Sequence, residues 1–205
     1  MHEQRPHRWP SHLSSVLPVT VAAIVPIRSF TGLTRLSAVL DEGERASLMK
    51  RLATHTVSAV RAAGLQMLIV SNDPDVTSWS AACGCTAIPE PDAAGLNGAA
   101  AAGVAEVGGG PWMVVHADLP AVTANDILAG ARLAERGYVF APSHDGGTSL
   151  IGGTGTGFPY RYGPGSFRRH LAAVRGEAAI LVRPGLALDL DHPRDLNVLR
   201  RLGYL

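Results

Sequence analysis

Trp112-Met113-Val114-Val115-His116-Ala117-Asp118-Leu119-Pro120 is the stretch whose reading decides the fold. Four apolar residues in a row, two of them β-branched, read as a strand buried on both faces. The run ends in an aspartate and a proline, and a helical pattern from Thr123 to Glu135 follows. A strand that leads into a helix is the repeating unit of an α/β sheet. In such a sheet, a residue at the carboxyl end of a strand lies where ligands bind. Asp118 at that place can hold Mg²⁺ against phosphate oxygens, or it can serve only as a turn or cap residue.

The same rhythm continues outward on both sides. Val19 to Val25 is a short β-branched run closed by Pro26, and it reads as a buried first strand. Asp41 and Glu42 suit the start of a helix from Glu42 to Ala63, with Gly64 as its C-cap. Leu65 to Val70 is a second strand, and a short helix through Trp79 and Ala82 leads to a third at Thr86–Ile88. Asn97 lies just before an alanine-rich helix from Ala99 to Val107. Beyond the central strand, Tyr138–Ala141 and Glu177–Val182 read as strands, Phe167–Ala173 as a helix capped by Ser166, and a last helix begins near Pro193. The expected fold is a single-domain α/β structure with a largely parallel sheet and helices outside it.

Composition narrows the function classes. The 205 residues suffice for one good-sized core. With 18 basic against 17 acidic residues, the chain has no overall attraction for a nucleic-acid polymer or an acidic membrane, although a local basic pocket is allowed. Aromatic residues make up 5%, too few for a base-stacking platform. Cys83 and Cys85 are too sparse for a disulfide framework, and their spacing gives half a zinc site, so free thiols are expected. No apolar run reaches transmembrane length. Residues 1–18 carry Arg5, Arg8 and three prolines without an apolar core, which reads as a flexible extension rather than a signal peptide, with residues 19–205 as the domain. The cytoplasm is the default location, and a homodimer is compatible with the chain.

Five loops carry polar chemistry. Ile27–Leu36 follows the first strand, and Arg28 and Arg35 there can each donate several N–H bonds to phosphate or remain solvated. With one glycine and no Gly-Lys pair, the loop is neither a dinucleotide fingerprint nor a Walker A loop. Pro89–Ala99 places Asn97 near a helix start, as a base or phosphate contact or as a plain cap. Gly146-Gly147-Thr148-Ser149 lets backbone approach a ligand and offers uncharged donors, or forms a bare turn before another strand. Arg161–Phe167 offers Ser166 at a helix start, with His170 one turn on as a structural or catalytic residue. Asp189 and Asp191 are two apart, so a strand places both on one face, where a divalent cation relieves their repulsion; Asp191 can also cap the last helix.

Taken together these motifs resemble the CofC/FbiD family, the phospholactate or phosphoenolpyruvate guanylyltransferases of coenzyme F420 synthesis. The resemblance runs from Val19 to Leu199. It rests on Pro26-Ile27-Arg28 with Thr34-Arg35-Leu36, Gly95-Leu96-Asn97, Ala117-Asp118-Leu119-Pro120, Ala141-Pro142-Ser143 with Gly146-Gly147-Thr148, Arg161–Phe167 with His170, and Asp189–Pro193. It implies a three-layer fold similar to the nucleotide-diphospho-sugar transferases. It also implies transfer of GMP from GTP to a small phosphorylated three-carbon acid, with release of pyrophosphate. That acid is 2-phospho-L-lactate, phosphoenolpyruvate or 3-phosphoglycerate in different members.

In family terms Asp118, Asp189 and Asp191 match the Mg²⁺ carboxylates. Thr148, Gly163 and Ser166 match the residues that hold the phosphorylated acid, and Asn97 lies in the nucleotide region. Arg28 is expected to assist at a phosphate, with Arg35 beside it. The chain departs from the pattern where Arg28 and Leu33 replace lysines and where Gly147-Thr148-Ser149 replaces Gly-Thr-Asn. Arg28 keeps the charge without an ammonium's compact geometry, and Leu33 offers neither charge nor hydrogen bonds. Those departures leave open a related nucleotidyltransferase with another acceptor or nucleotide, or a nucleotide-binding paralogue with weak catalysis.

Overall fold

The computed structural model describes residues 21–92 and 95–205. The expected extension 1–18 and the start of the first strand at Val19 lie outside the described residues. Seven strands form one sheet: β1 (Ala22–Pro26), β2 (Gln66–Val70), β3 (Thr86–Ile88), β4 (Trp112–Val115), β5 (Val139–Pro142), β6 (Thr148–Gly153) and β7 (Ala179–Ile180). Their spatial order is β3-β2-β1-β4-β6-β5-β7. β1 pairs in parallel with β2 and β4, β2 with β3, and β5 with β7, while β6 runs antiparallel to both β4 and β5. The sheet is therefore largely parallel, as its buried strand runs imply.

The helices are α1 (Glu42–Ala62), α2 (Pro74–Ala82), α3 (Gly95–Glu106), α4 (Ala124–Ala134), α5 (Ser166–Ala173), α6 (Pro184–Ala187) and α7 (Pro193–Arg201). Asp41 caps α1, accepting from the Glu44 N–H at 2.8 Å while Glu44 accepts from the Asp41 N–H. Thr123 and Asp126 make the same reciprocal cap on α4. The central strand shows how the layers form. Trp112, Met113, Val114 and Val115 are all fully buried. Met113 and Val115 pack into the cluster containing Ala59 and Val60 of α1 and Ile127 and Ala131 of α4. Trp112 and Val114 pack on the opposite face with Ala100 and Val104 of α3 and Phe140 and Ile151 of the sheet. Alternation along one strand thus fills two cores, giving helix, sheet and helix layers.

Several expectations differ from the structure. β6 stands in the sequence only as one alternative, a strand after the Gly146-Gly147 turn, and α6 is not signalled as a helix. Gly152 and Gly153 hide β6 from a propensity reading, yet a Cβ on Gly152 would lie 2.7 Å from the Ala134 Cβ, so close packing of α4 demands glycine there. α3 begins at Gly95 rather than Ala99, which places Asn97 inside its first turn. Gly165, at φ 67°, is the N-cap of α5, so Ser166 is its first helical residue and not its cap. Asp189 and Asp191 lie outside any strand, between α6 and α7, and His192 rather than Asp191 caps α7.

α3 approaches β1 through Gly103, where an added Cβ would lie 2.3 Å from Ile24 Cγ2 and 3.1 Å from Val70 Cγ2. Both neighbours are branched and buried, so neither yields without moving a strand. Gly103→Ala is expected to destabilise the fold by about 2 kcal/mol despite the better helix propensity of alanine. Urea unfolding checks this, and an unchanged midpoint would contradict the close contact.

Candidate active site

The chain crosses from β1 to β2 on one side and lies beside β4 on the other, which opens a crevice above the strand ends. A cleft of about 440 Å³ occupies it, bounded by Pro26–Ser29, Gly32–Arg35, Leu96, His116–Asp118 and Asp191. A larger hollow of about 600 Å³ lies on the outer face of α1, between Lys50, His55 and the chain end at Tyr204 and Leu205. It touches no strand-end carboxylate, so the strand-end cleft is the chemical candidate.

One wall of the cleft is anionic. Asp118 lies just past the end of β4, and the Leu190 N–H donates to its main-chain carbonyl at 3.1 Å. That bond brings the Leu188–Asp191 segment to the strand end. Asp118 Oδ1 is buried without a hydrogen-bond partner. Burial, helped by the nearby charge of Asp145, pushes the Asp118 pKa up to about 6, although its own N–H pulls the other way. Burial and then the charges of Asp118 and Asp145 also raise the pKa of Asp189. The structure therefore brings Asp118 and Asp189 into one electrostatic environment.

Asp191 takes a different partner, the guanidinium of Arg35. The segment's irregular backbone explains this: without a strand, residues two apart do not share a face. Among the described residues, no three His, Cys, Asp or Glu side chains are already gathered as a metal cage. Asp118 and Asp189 nevertheless suit a hard divalent cation. They are oxygen donors, one carries a buried orphan atom, and each is pushed towards protonation by its surroundings.

Two histidines adjoin these carboxylates, His116 inside the cleft and His144 outside its lining. His144 spans Asp189 and Asp195, with Nδ1 at 3.1 Å from one carboxylate and Nε2 at 3.1 Å from the other. Burial lowers its pKa, but the two carboxylates outweigh that and the net shift is upward. His116 Nδ1 lies 3.8 Å from Asp118 Oδ1, and burial holds its pKa down against the pull of Asp189 and Asp145. Sequence reading did not single out His144 as a site residue. Its signal was available in Ser143-His144-Asp145-Gly146-Gly147, a tight polar turn at the end of β5.

The opposite wall is cationic and apolar. Arg28 is exposed at the cleft mouth with no polar partner among the described residues. Leu33 lines the cleft with a left-handed backbone, φ 56°. That conformation costs a non-glycine residue about 1 kcal/mol and starts the 3₁₀ turn Thr34–Leu36. Leucine at this position gives the wall an apolar face.

The expected acceptor residues form a third group. Thr148 Oγ1 lies 3.1 Å from Ser166 Oγ and 3.0 Å from His170 Nδ1. Gly163, at φ 111°, adopts a backbone conformation that suits glycine in the turn above them. Asn97 Oδ1 accepts the Tyr162 N–H at 2.7 Å, so its carbonyl ties α3 to that turn. Arg169 donates to the carbonyls of Arg161 and Tyr162 at 3.0 and 3.2 Å. Thr148 contacts Ser166, and the Ser166 N–H donates to the Gly163 carbonyl at 3.0 Å, so the three residues that the resemblance assigns to the acceptor lie together, with Asn97 bonded to the same turn.

Residues 21–199 match the model of a family described as guanylyl transferase CofC like. The chain belongs to this guanylyl transferase family. Among its relatives is the phosphoenolpyruvate guanylyltransferase of Rubrobacter xylanophilus, 36% identical over 90% of this chain and 96% of that one. The 3-phospho-D-glycerate guanylyltransferase of Phenylobacterium zucineum is 35% identical, covering 84% of this chain and 86% of the relative. In fold the chain is similar to a crystal structure described as a nucleotide-diphospho-sugar transferase from Desulfovibrio desulfuricans G20, with TM-score 0.76, 17% identity and coverage of 89% and 87%. The three-layer architecture is that of nucleotide-diphospho-sugar transferases. Cys83 and Cys85 are free thiols, and among the described residues no helix is long and apolar enough to cross a membrane.

The raised pKa of Asp118 has a definite sign in stability. Between about pH 4 and 6 the folded state binds its proton more tightly than the unfolded state, so stability falls as pH rises through that window. Asp118→Asn removes the buried charge. It is expected to be more stable than the wild type by about 2 kcal/mol at neutral pH, with the difference vanishing below about pH 4. Chemical unfolding at the two pH values tests this, and a less stable variant at neutral pH would contradict it.

Proposed function

We propose that this chain transfers GMP from GTP to a small phosphorylated three-carbon acid, phosphoenolpyruvate being the first candidate, and releases pyrophosphate in coenzyme F420 synthesis. The observation that carries the reading is Asp118, facing the same crevice as Arg28 and Arg35, with Asp189 electrostatically coupled to it from beside the cleft. Carboxylates alone repel a nucleoside triphosphate, so the arrangement suits a triphosphate that arrives with a cation. The names of the relatives support the acceptor class.

Mg²⁺, held by Asp118 and Asp189, would neutralise charge on the phosphate oxygens and template the two reactants. The protein's own groups supply the rest. Arg28, free of polar partners among the described residues, offers its fork to the triphosphate at the cleft mouth. Arg35 is neutralised by Asp191 until phosphate oxygens compete for it, and that exchange makes Asp191 available to the cation. Thr148, Ser166 and the Gly163 turn hold the acid.

An acceptor phosphate oxygen attacks the α-phosphorus in line, forming one P–O bond as the bond to the pyrophosphate oxygen breaks. That oxygen is already anionic, so no general base is required. His144 braces Asp189 and Asp195 through its two ring nitrogens.

Leu33 favours a second reading, because an apolar wall in place of a lysine removes a phosphate contact. In that case the chain binds the nucleotide and turns over weakly.

Pyrophosphate release from GTP across phosphoenolpyruvate, 3-phosphoglycerate and 2-phospho-L-lactate, with and without Mg²⁺, separates the readings. Release with one acid names the acceptor. Tight GTP binding without release from any acid supports the second reading. Asp118→Asn is expected to stay folded and lose turnover by roughly a hundredfold or more, and unchanged turnover overturns the role given to Asp118.

A further inference from the structure

His170 is fully buried on α5, with its ring among Phe140, Phe158 and Tyr162 at centroid distances of 6.3, 5.8 and 4.9 Å. Nε2 accepts the main-chain N–H of Arg161 at 2.8 Å. A main-chain amide only donates, so Nε2 carries no hydrogen, and a neutral ring carries its hydrogen on Nδ1. Burial, together with the positive surroundings of Arg169, His116 and Arg161, holds the His170 pKa down to about 4, which keeps the ring neutral. Nδ1–H therefore donates to Thr148 Oγ1 at 3.0 Å.

The tautomer settles the proton count of the hydroxyl pair. Thr148 and Ser166 bring two hydroxyl protons and share one hydrogen bond of 3.1 Å. His170 takes neither proton, so one remains to be donated elsewhere. In the opposite tautomer Nδ1 would accept, both protons would be consumed, and the pair would present only lone pairs, which repel an anion. Thr148 and Ser166 are 2% and 1% exposed, so little water is present to correct a misdirected hydroxyl.

We propose that His170 is the positioning residue of the acceptor pocket, fixing the Thr148–Ser166 pair so that one hydroxyl donates to an anionic oxygen of the phosphorylated acid. The Arg161 amide sets this arrangement through the ring. Because the same turn contains Gly163, the turn that borders the acid also orients its donor. The inference rests on the acceptor reading given under Proposed function.

Two experiments test it. Nitrogen-15 NMR of the imidazole in the wild-type protein near neutral pH is expected to show a protonated Nδ1 and a bare Nε2. The opposite tautomer, or an imidazolium, overturns the proposal. In steady-state kinetics with GTP and phosphoenolpyruvate, His170→Gln keeps an acceptor for the Arg161 amide and loses the donor to Thr148. It is expected to raise KM for the acid about tenfold while KM for GTP stays within about twofold.

Thr148→Val should produce a similar rise, and the double variant should be no worse than Thr148→Val alone, because His170 acts through that hydroxyl. Additive effects, or an equal rise in both KM values, mean a merely structural role and overturn the proposal. If the wild type turns over none of the three acids, the proposed reaction fails, and the tautomer measurement judges His170 by itself.

Discussion

The hydrogen bond from the Leu190 N–H to the Asp118 carbonyl holds the anionic half of the site together. It joins the end of the central strand to a segment that arrives only after the whole antiparallel part of the sheet has been built. Its consequence is electrostatic. The charge of Asp118 raises the proton affinity of Asp189, and Asp118 is itself desolvated. Carboxylates left to themselves would separate into water. They stay because β4 is fixed by β1 on one side and β6 on the other, and because His144 bridges Asp189 to Asp195 at the start of α7. The sheet thus bears a local cost at the point where a ligand can relieve it.

The cationic side is built differently. Its arginines sit on the loop after β1 and are exposed, so their charge is screened by water and free to rearrange. Leu33 adopts the left-handed turn in this loop and packs against the apolar cluster that contains Leu36 and Leu190. Arg35, itself part of the motif shared with the family, reaches Asp191 across the cleft with its guanidinium. The departure at position 33 therefore takes a positive charge away from this wall, and the leucine there joins the apolar cluster beneath the loop.

Much of this was legible in the sequence, for a definite reason. β1, β2 and β4 announce themselves as apolar runs because both faces of each strand are covered, and α1 and α4 because their caps are local in sequence. Asp118 could be placed because a strand end is a local property. β6 was legible only as an alternative because its Gly152 and Gly153 answer to the side chains of Ala134 and Tyr138, which no neighbouring residue encodes. Asp189 and Asp191 were assigned one face on the assumption of a strand, whereas long-range bonds from Leu190 and Arg35 set their directions. Ser166 looked like a cap because serine often is one; Gly165 takes that role and leaves the hydroxyl to Thr148.

The two halves of the site resolve the burial of polar groups in opposite ways. Around Asp118 the groups are left in conflict, with an orphan oxygen and raised proton affinities. Around Thr148 the neighbouring side chains are bonded to one another and to the backbone, although the Tyr160 and Tyr162 hydroxyls are buried without a partner, and three side chains clamp one turn: His170 through the Arg161 amide, Asn97 through the Tyr162 amide, and Arg169 through two carbonyls. A doubly charged phosphate can compensate an electrostatic conflict, so strain suits the half that meets a cation and a triphosphate. A small acid offers few atoms to grip, so selection among such acids must come from donors already fixed in direction. In the proposed reaction the anionic wall would govern whether transfer proceeds, and the hydrogen-bonded turn would govern which acid enters it.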